Sequence, residues 1–237
     1  MAVTAAARQG AQPLRAEHVS VVEVDIKLSD WLTDHEFAAL LVAARRFNQL
    51  AHAAGLKVVC PSSPLDAYRL LRLAIADPDP VIVLEPKSRY WSKEEGELTA
   101  EGPGLGRARV LREGSACVLI SYGAMVARCL DAAAGLEAEG ISCTVLDLRS
   151  LSPLDLETLG GAVRAVGRAV VVHEAPLTLG LGAEVAARIM EEAFDHLEAP
   201  VRRVTGWDVP YPPASLEDVY LPSVERIARA VREVVAY

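Results

Sequence analysis

An α/β protein made of two units joined by a linker is what this sequence predicts, and three observations predict it. Hydrophobic residues make up 51% and charged residues 24% of the 237 positions, enough apolar surface for one large core or two modest ones. From residue 57 onward, apolar runs of strand length alternate with stretches of helical period, the pattern of a mostly parallel sheet with helices on both faces, a three-layer arrangement. Between Pro86 and Arg107 Lys, Glu, Gly and Pro interrupt that alternation, so residues 87–107 read as a linker.

The elements follow in order. Residues 1–16 are small and polar with no period, which predicts a loose tail. Val22, Val24, Ile26 and Leu28 then alternate with Glu23, Asp25 and Lys27, the period of a strand with one buried face. Thr33 and Glu36 have capping-box spacing, and Phe37, Leu40, Leu41 and Ala44 share one helical face, so a helix is expected towards Ala54 before Gly55 stops it. Residues 57–60 form a short buried strand ended by Pro61. Ser63 caps a helix that opens with Pro64, whose ring presets φ, and carries Asp66 in the first turn, where a negative charge favours the dipole. That helix runs to Ala76, and residues 81–84 form a fully buried strand. Beyond the linker, residues 108–237 make the second unit. Its strands are expected at 117–121, 144–148, 169–173 and 201–204. Its helices are expected at 125–139, at 154–166 with a start near Ser152 and Pro153, at 183–196, and from about 223 to 235 after a Pro-rich stretch over 207–213.

Composition excludes several classes. A net charge of -8 disfavours a nucleic acid partner, because phosphate binding needs a clustered excess of Lys and Arg. No apolar run approaches the roughly 20 residues of a membrane span, and the opening MAVTAAARQGAQ has no apolar signal core, so a cytoplasmic protein is expected. Cys60, Cys117, Cys129 and Cys143 form no CxxC pair, and three of them sit inside apolar stretches and read as packed thiols. His18, His35, His52, His173 and His196 are scattered, which sets transition-metal chemistry aside.

Several segments resemble a known family. Gly55-Leu-Lys-Val-Val-Cys-Pro-Ser-Ser-Pro and Asp77-Pro-Asp-Pro-Val-Ile-Val-Leu-Glu-Pro-Lys are similar to the last part of the pyrimidine-binding domain in beta subunits of thiamine-dependent 2-oxo acid dehydrogenases. Ser121-Tyr-Gly-Ala-Met-Val, Val145-Leu-Asp-Leu-Arg-Ser-Leu-Ser-Pro-Leu-Asp, His173-Glu-Ala-Pro, Gly180-Leu-Gly-Ala-Glu and Pro210-Tyr-Pro-Pro resemble that family's C-terminal, transketolase-like domain, and the pieces come in the family's order. The resemblance covers residues 50 to 237. It implies a partial pyrimidine-binding domain over 17–86 and a transketolase C-terminal-like domain over 108–237. It also implies an assembly of two alpha and two beta subunits that binds thiamine diphosphate and magnesium between subunits, decarboxylates a 2-oxo acid and hands the acyl group to the lipoyl arm of an acyltransferase component. Leu84-Glu-Pro-Lys-Ser-Arg-Tyr-Trp leans the reading towards branched-chain over pyruvate members.

Family members carry a catalytic glutamate and a His-Ser-Gln or His-Ser-Glu segment upstream of the Gly55 stretch. The corresponding residues 42–45 read Val-Ala-Ala-Arg. Catalytic and cofactor-binding residues are therefore assigned to no position, and the front of the cofactor-binding half is expected to be missing. In the matching family segment a structural potassium ion is held at the end of the helix. The corresponding residues are Ala74, Ile75, Asp77 and Asp79, and the bland alternative is an Asp-Pro turn with solvated carboxylates.

Four further features carry weaker expectations. Gly180-Leu-Gly-Ala-Glu sits between strand and helix where an anion is cradled in other folds, but the third glycine of a dinucleotide motif is Val185. A tight turn is the better reading. His173 and Glu174 end a strand at the carboxyl edge of the sheet, and hydrogen bonding to structure is favoured over a catalytic pair. Trp207 and Tyr211 either mark a partner surface or close the core, and Glu94 to Glu101 read as solvated linker. Two functions are carried forward: a beta subunit active with an alpha partner, and a noncatalytic assembly or regulatory relative. A free nucleotide-binding module is a third, discouraged by the glycine pattern. Made alone, the chain is expected to dimerise or aggregate.

Overall fold

The structure, a computed structural model, describes residues 2–7, 20–24, 55–98 and 102–237, the first two segments by their backbone alone. The chain divides into two compact units. Unit 1 is Met1–Gly106 with Arg149–Leu154, and unit 2 is Arg107–Leu148 with Asp155–Tyr237.

Unit 1 has a five-stranded sheet. Strand β3 (Lys57–Val59), helix α1 (Pro64–Ala76) and strand β4 (Val81–Glu85) form the expected crossover, with β3 and β4 parallel. The Ser63 hydroxyl accepts from the Asp66 N–H at 3.3 Å, the cap that the Ser-Pro start predicts. Val59, Leu70, Ala74, Val81 and Val83 pack as its core. Ala2–Ala7 departs from the expected loose tail. As β1 it pairs antiparallel with β4 and with β2 (Ser20–Val24). Backbone pairing along an open strand edge needs no apolar period, so composition alone misses it. The rest of the expected strand, after Val24, lies outside the described residues, as do the Thr33–Glu36 box and its expected helix.

Two further expectations are corrected. The segment 149–154, read as part of the C-terminal unit, completes the sheet of unit 1. Strand β8 (Ser150–Ser152) runs antiparallel to β3, and the sheet order is β2-β1-β4-β3-β8. The Cys60 N–H donates to the Arg149 carbonyl at 2.8 Å and the Ser152 hydroxyl to the Leu56 carbonyl at 3.2 Å. A three-residue strand carries too few positions to show a period. The linker, in turn, folds back onto unit 1. The Glu94 carboxylate accepts from the Leu65 N–H at 3.0 Å, meeting one of the free donors at the start of α1, and Leu105 packs on the core.

Unit 2 has the sheet order β10-β9-β6-β7-β5. Strands β6 (Cys117–Ser121), β7 (Cys143–Asp147), β9 (Ala169–Pro176) and β10 (Arg202–Gly206) are parallel, and β5 (Arg109–Arg112) closes one edge antiparallel to β7. β5 falls just after the expected linker and went unread, since an edge strand exposes one side and lacks a continuous apolar run. Helices α2 (Met125–Glu137) and α5 (Val224–Val235) cover one face, while α3 (Leu156–Val166) and α4 (Leu181–Ala193) pack together over the other. β6 is buried at every position, which is why its sequence is apolar without alternation. Asp155 caps α3, accepting from the N–H groups of Thr158 at 3.1 Å and Ala108 at 2.9 Å. All four cysteines are buried and none is in a disulfide, and burial pushes the Cys143 thiol up to about 11 and Cys129 to about 12. They pack as small hydrophobes, as expected.

Candidate functional site at the carboxyl edge of the second sheet

Parallel α/β sheets gather their chemistry where strands end and helices begin. In unit 2 that edge brings together the ends of β6, β9 and β10. Ser121 closes β6 with its hydroxyl donating to the Val172 carbonyl at 2.9 Å. One residue further along β9, His173 is fully buried, with Tyr122 stacked on it at 6.3 Å between ring centroids.

The imidazole has a specific task. Gly180, at the N-cap of α4, has no side chain to accept a hydrogen bond, and His173 Nε2 takes that part by accepting from the Gly182 N–H at 3.1 Å. A Cβ on Gly180 would lie 2.7 Å from His173 Cε1, and one on Gly182 would run into Nε2. The glycine pair is thus a socket for the imidazole, and the helix N-terminus is filled by a side chain of the same chain. This supports the tight-turn reading of Gly180-Leu-Gly over an anion cradle. Accepting at Nε2 requires the proton on Nδ1, a neutral ring. Burial and the Arg203 guanidinium lower its pKa to about 4, against a contact with the Ala175 backbone.

Glu174 follows on β9. Burial raises its pKa and Glu217 adds to the rise, while Arg128 opposes it. Beside it the Tyr211 hydroxyl donates to Glu217 Oε1 at 3.0 Å, and the Tyr211 and Tyr220 rings meet edge-on at 5.0 Å. The Trp207 indole N–H donates to the Val219 carbonyl at 3.0 Å and the Arg226 guanidinium stacks 4.3 Å from the Trp207 ring centroid. Trp207 and Tyr211 therefore anchor the closing loop, though Trp207 stays half exposed.

The expected cation corner lies in unit 1. Ala74 is buried and Ile75 exposed in the last turn of α1, and Asp77 is its C-cap. The Lys57 ammonium sits 2.8 Å from Asp77 Oδ1 and 3.0 Å from Asp79 Oδ2, and the Asp79 N–H donates to Asp77 Oδ1 at 2.9 Å. These hydrogen bonds raise the Lys57 pKa. The carboxylates thus face an ammonium, and among the described residues no group of three or more His, Cys, Asp or Glu is set to hold a metal. Sequence reasoning missed Lys57, whose role depends on the parallel pairing of β3 with β4. It also missed the buried pair of Arg149 and Asp66, at 2.6 Å and 1% and 0% exposed. Arg149 holds a left-handed φ of 54°, which no sequence pattern announces.

Thiamine diphosphate needs a diphosphate cradle, a divalent cation and a carboxylate at its pyrimidine. Neither of these two sites fits it, because the glycine-bearing helix start is filled by His173 and the paired aspartates by Lys57. They are accordingly assigned no catalytic step through that cofactor.

Fold and edge define a class first, a parallel α/β domain covered on both faces and preceded by a second α/β unit. Sequence comparison then gives the family. The sequence model described as "Transketolase, C-terminal domain" matches residues 106–227, just over half of the chain, and that described as "Transketolase, pyrimidine binding domain" matches residues 42–92. The chain belongs to the transketolase C-terminal domain family. It is 49% identical over 184 residues to the 3-methyl-2-oxobutanoate dehydrogenase subunit beta of Mycobacterium tuberculosis, covering 77% of this chain and 53% of that protein. It is 47% identical over 187 residues to the pyruvate dehydrogenase E1 component subunit beta of Leifsonia xyli subsp. xyli, covering 79% and 56%. Among solved structures it resembles a split-gene transketolase described as an inactive beta4 tetramer, with a TM-score of 0.66, 29% identity, and coverage of 80% of this chain and 60% of that one. The chain spans about half the length of the curated relatives it matches.

Proposed function

We propose that the chain is a beta-type subunit of a 2-oxo acid dehydrogenase, with branched-chain substrates favoured over pyruvate. The carrying observation is the 49% identity to a 3-methyl-2-oxobutanoate dehydrogenase beta subunit, which runs through both family segments. In this reading unit 2 is the assembly domain and its partners are an alpha subunit, a second beta subunit and a lipoyl acyltransferase component, in the cytoplasm. Among the described residues no helix is long and apolar enough to cross a membrane. Thiamine diphosphate with magnesium, bound between subunits, would supply the carbanion chemistry. Residues outside those described, or the partner's, would have to hold it.

A second reading has its own support. The sites described above do not fit thiamine diphosphate and the solved neighbour is described as inactive, which suits a noncatalytic assembly or regulatory relative. Co-expression with an alpha subunit separates the two. Turnover of 3-methyl-2-oxobutanoate that requires thiamine diphosphate and exceeds turnover of pyruvate supports the first. A stable complex without turnover supports the second, and the lack of any complex rejects both.

The potassium reading at Ala74, Ile75, Asp77 and Asp79 is kept as part of the proposal, restricted to backbone carbonyls because Lys57 engages the carboxylates. It requires a higher melting temperature in KCl than in NaCl at equal ionic strength. Equal temperatures reject it.

A further inference from the structure

The connection from β9 to α4 is tied down at both ends of its short length. Thr178 donates through its N–H to Asp208 Oδ1 at 2.9 Å and through its hydroxyl to Oδ2 at 2.6 Å. Arg203 Nη1 donates to the Leu177 carbonyl at 3.0 Å. At the far end Gly182 donates to His173. Between these ties Leu179 has a left-handed φ of 59°, a conformation unfavourable for a leucine, and its side chain is 84% exposed. Packing does not hold such a residue there, so the hydrogen bonds must.

We infer that the loop of residues 177–180, together with the first residues of α4, is latched in one conformation by two titratable acceptors, His173 and Asp208, and that acid releases it. Protonation of His173 at Nε2 removes the acceptor of the Gly182 N–H and leaves two N–H groups facing each other at the positive end of α4. Protonation of Asp208 turns a charge-assisted pair of acceptors into weaker neutral ones. Both events act in the same direction, and the strain at Leu179 favours release once they occur.

The signs agree. The fold lowers the His173 pKa from 6.5 to about 4, so the neutral ring is favoured. Its contribution is complete above 6.5 and erodes as pH falls towards 4. The hydrogen bonds from Thr178 lead in lowering the Asp208 pKa from its usual value of 3.8, so its contribution is present above that value and is lost below it. His173 gives way first. Groups on the neighbouring elements bear on the pair. Arg203 on β10 opposes protonation of both. Tyr122 stacks on the imidazole, and burial, then Glu174 and Asp208, raise the pKa of the Tyr220 hydroxyl. Glu174 adjoins His173 on β9, and Glu184 in the first turn of α4 is paired with Arg188 at 2.8 Å.

Nuclear magnetic resonance on the full chain, with labelled imidazole carbons and amide nitrogens, tests this. The His173 ring and the Gly182 amide should titrate together with a midpoint near pH 4, while far-UV circular dichroism stays constant. Exchange of the Thr178 amide should quicken about tenfold in D208N at pH 7, the ratio set by losing a charge-assisted bond. In H173Q, whose side-chain oxygen can still accept, the Gly182 titration should vanish. A His173 titration near 6.5 that leaves Gly182 unmoved overturns the inference. So does a Thr178 amide in D208N that exchanges as in the parent, and this arm stands even if H173Q does not fold.

Discussion

The two units are stabilised by different means. Unit 2 builds the centre of its sheet from largely apolar stretches, β6, β7 and the first half of β9, that are buried at every position, and places capped helices on both faces, so these parts declare themselves over short stretches of sequence. Unit 1 gathers strands from three distant parts of the chain, and a buried ion pair between Asp66 and Arg149 fastens the last of them. A unit whose pieces are apolar and contiguous needs few specific polar contacts. One assembled from remote segments depends on individual side chains for its register. Single polar substitutions should therefore damage unit 1 out of proportion.

The largest effect is expected from Arg149→Ala. It leaves the Asp66 carboxylate buried without its cation, at a cost of about 3–5 kcal/mol. Calorimetry should then show an early transition for unit 1 ahead of unit 2. A single unshifted transition would break the contrast between the units. Gly182→Ala comes next and sharpens it from the other side. The added Cβ meets the His173 ring, and overpacking there should cost about 1–3 kcal/mol, read as a lower urea midpoint with unchanged slope. Smallest is Glu174→Gln, which should stabilise by under about 1 kcal/mol. Because the fold raises the Glu174 pKa, its contribution is favourable in acid and is lost as pH rises through the folded value. The gain from glutamine should accordingly be larger at pH 8 than at pH 5.

Much of this was legible in the sequence where local chemistry decides. Ser63, Pro64 and the apolar run after them set α1 to its observed bounds, and the parallel core strands of unit 2 follow from their unbroken apolar runs. Gly180 and Gly182 were legible as a turn, but their partner was not, because the imidazole that requires them arrives from another element. The same holds for Lys57 against Asp77 and Asp79. Strands β5 and β8 escaped because short edge strands pair through the backbone, which carries no residue code. Arg149 directly follows the expected strand 144–148 in sequence, and only the return of 149–154 to β3 shows where it belongs.

Native-state amide exchange, followed along the whole chain by mass spectrometry, tests the difference between the units most directly. In the parent protein β6 and β9 should exchange only by global unfolding, and in Arg149→Ala peptides from α1 and β3 should lose protection while β6 and β9 keep theirs. If all four lose protection together, or if α1 and β3 are untouched, the claim that a buried ion pair governs unit 1 and not unit 2 is contradicted.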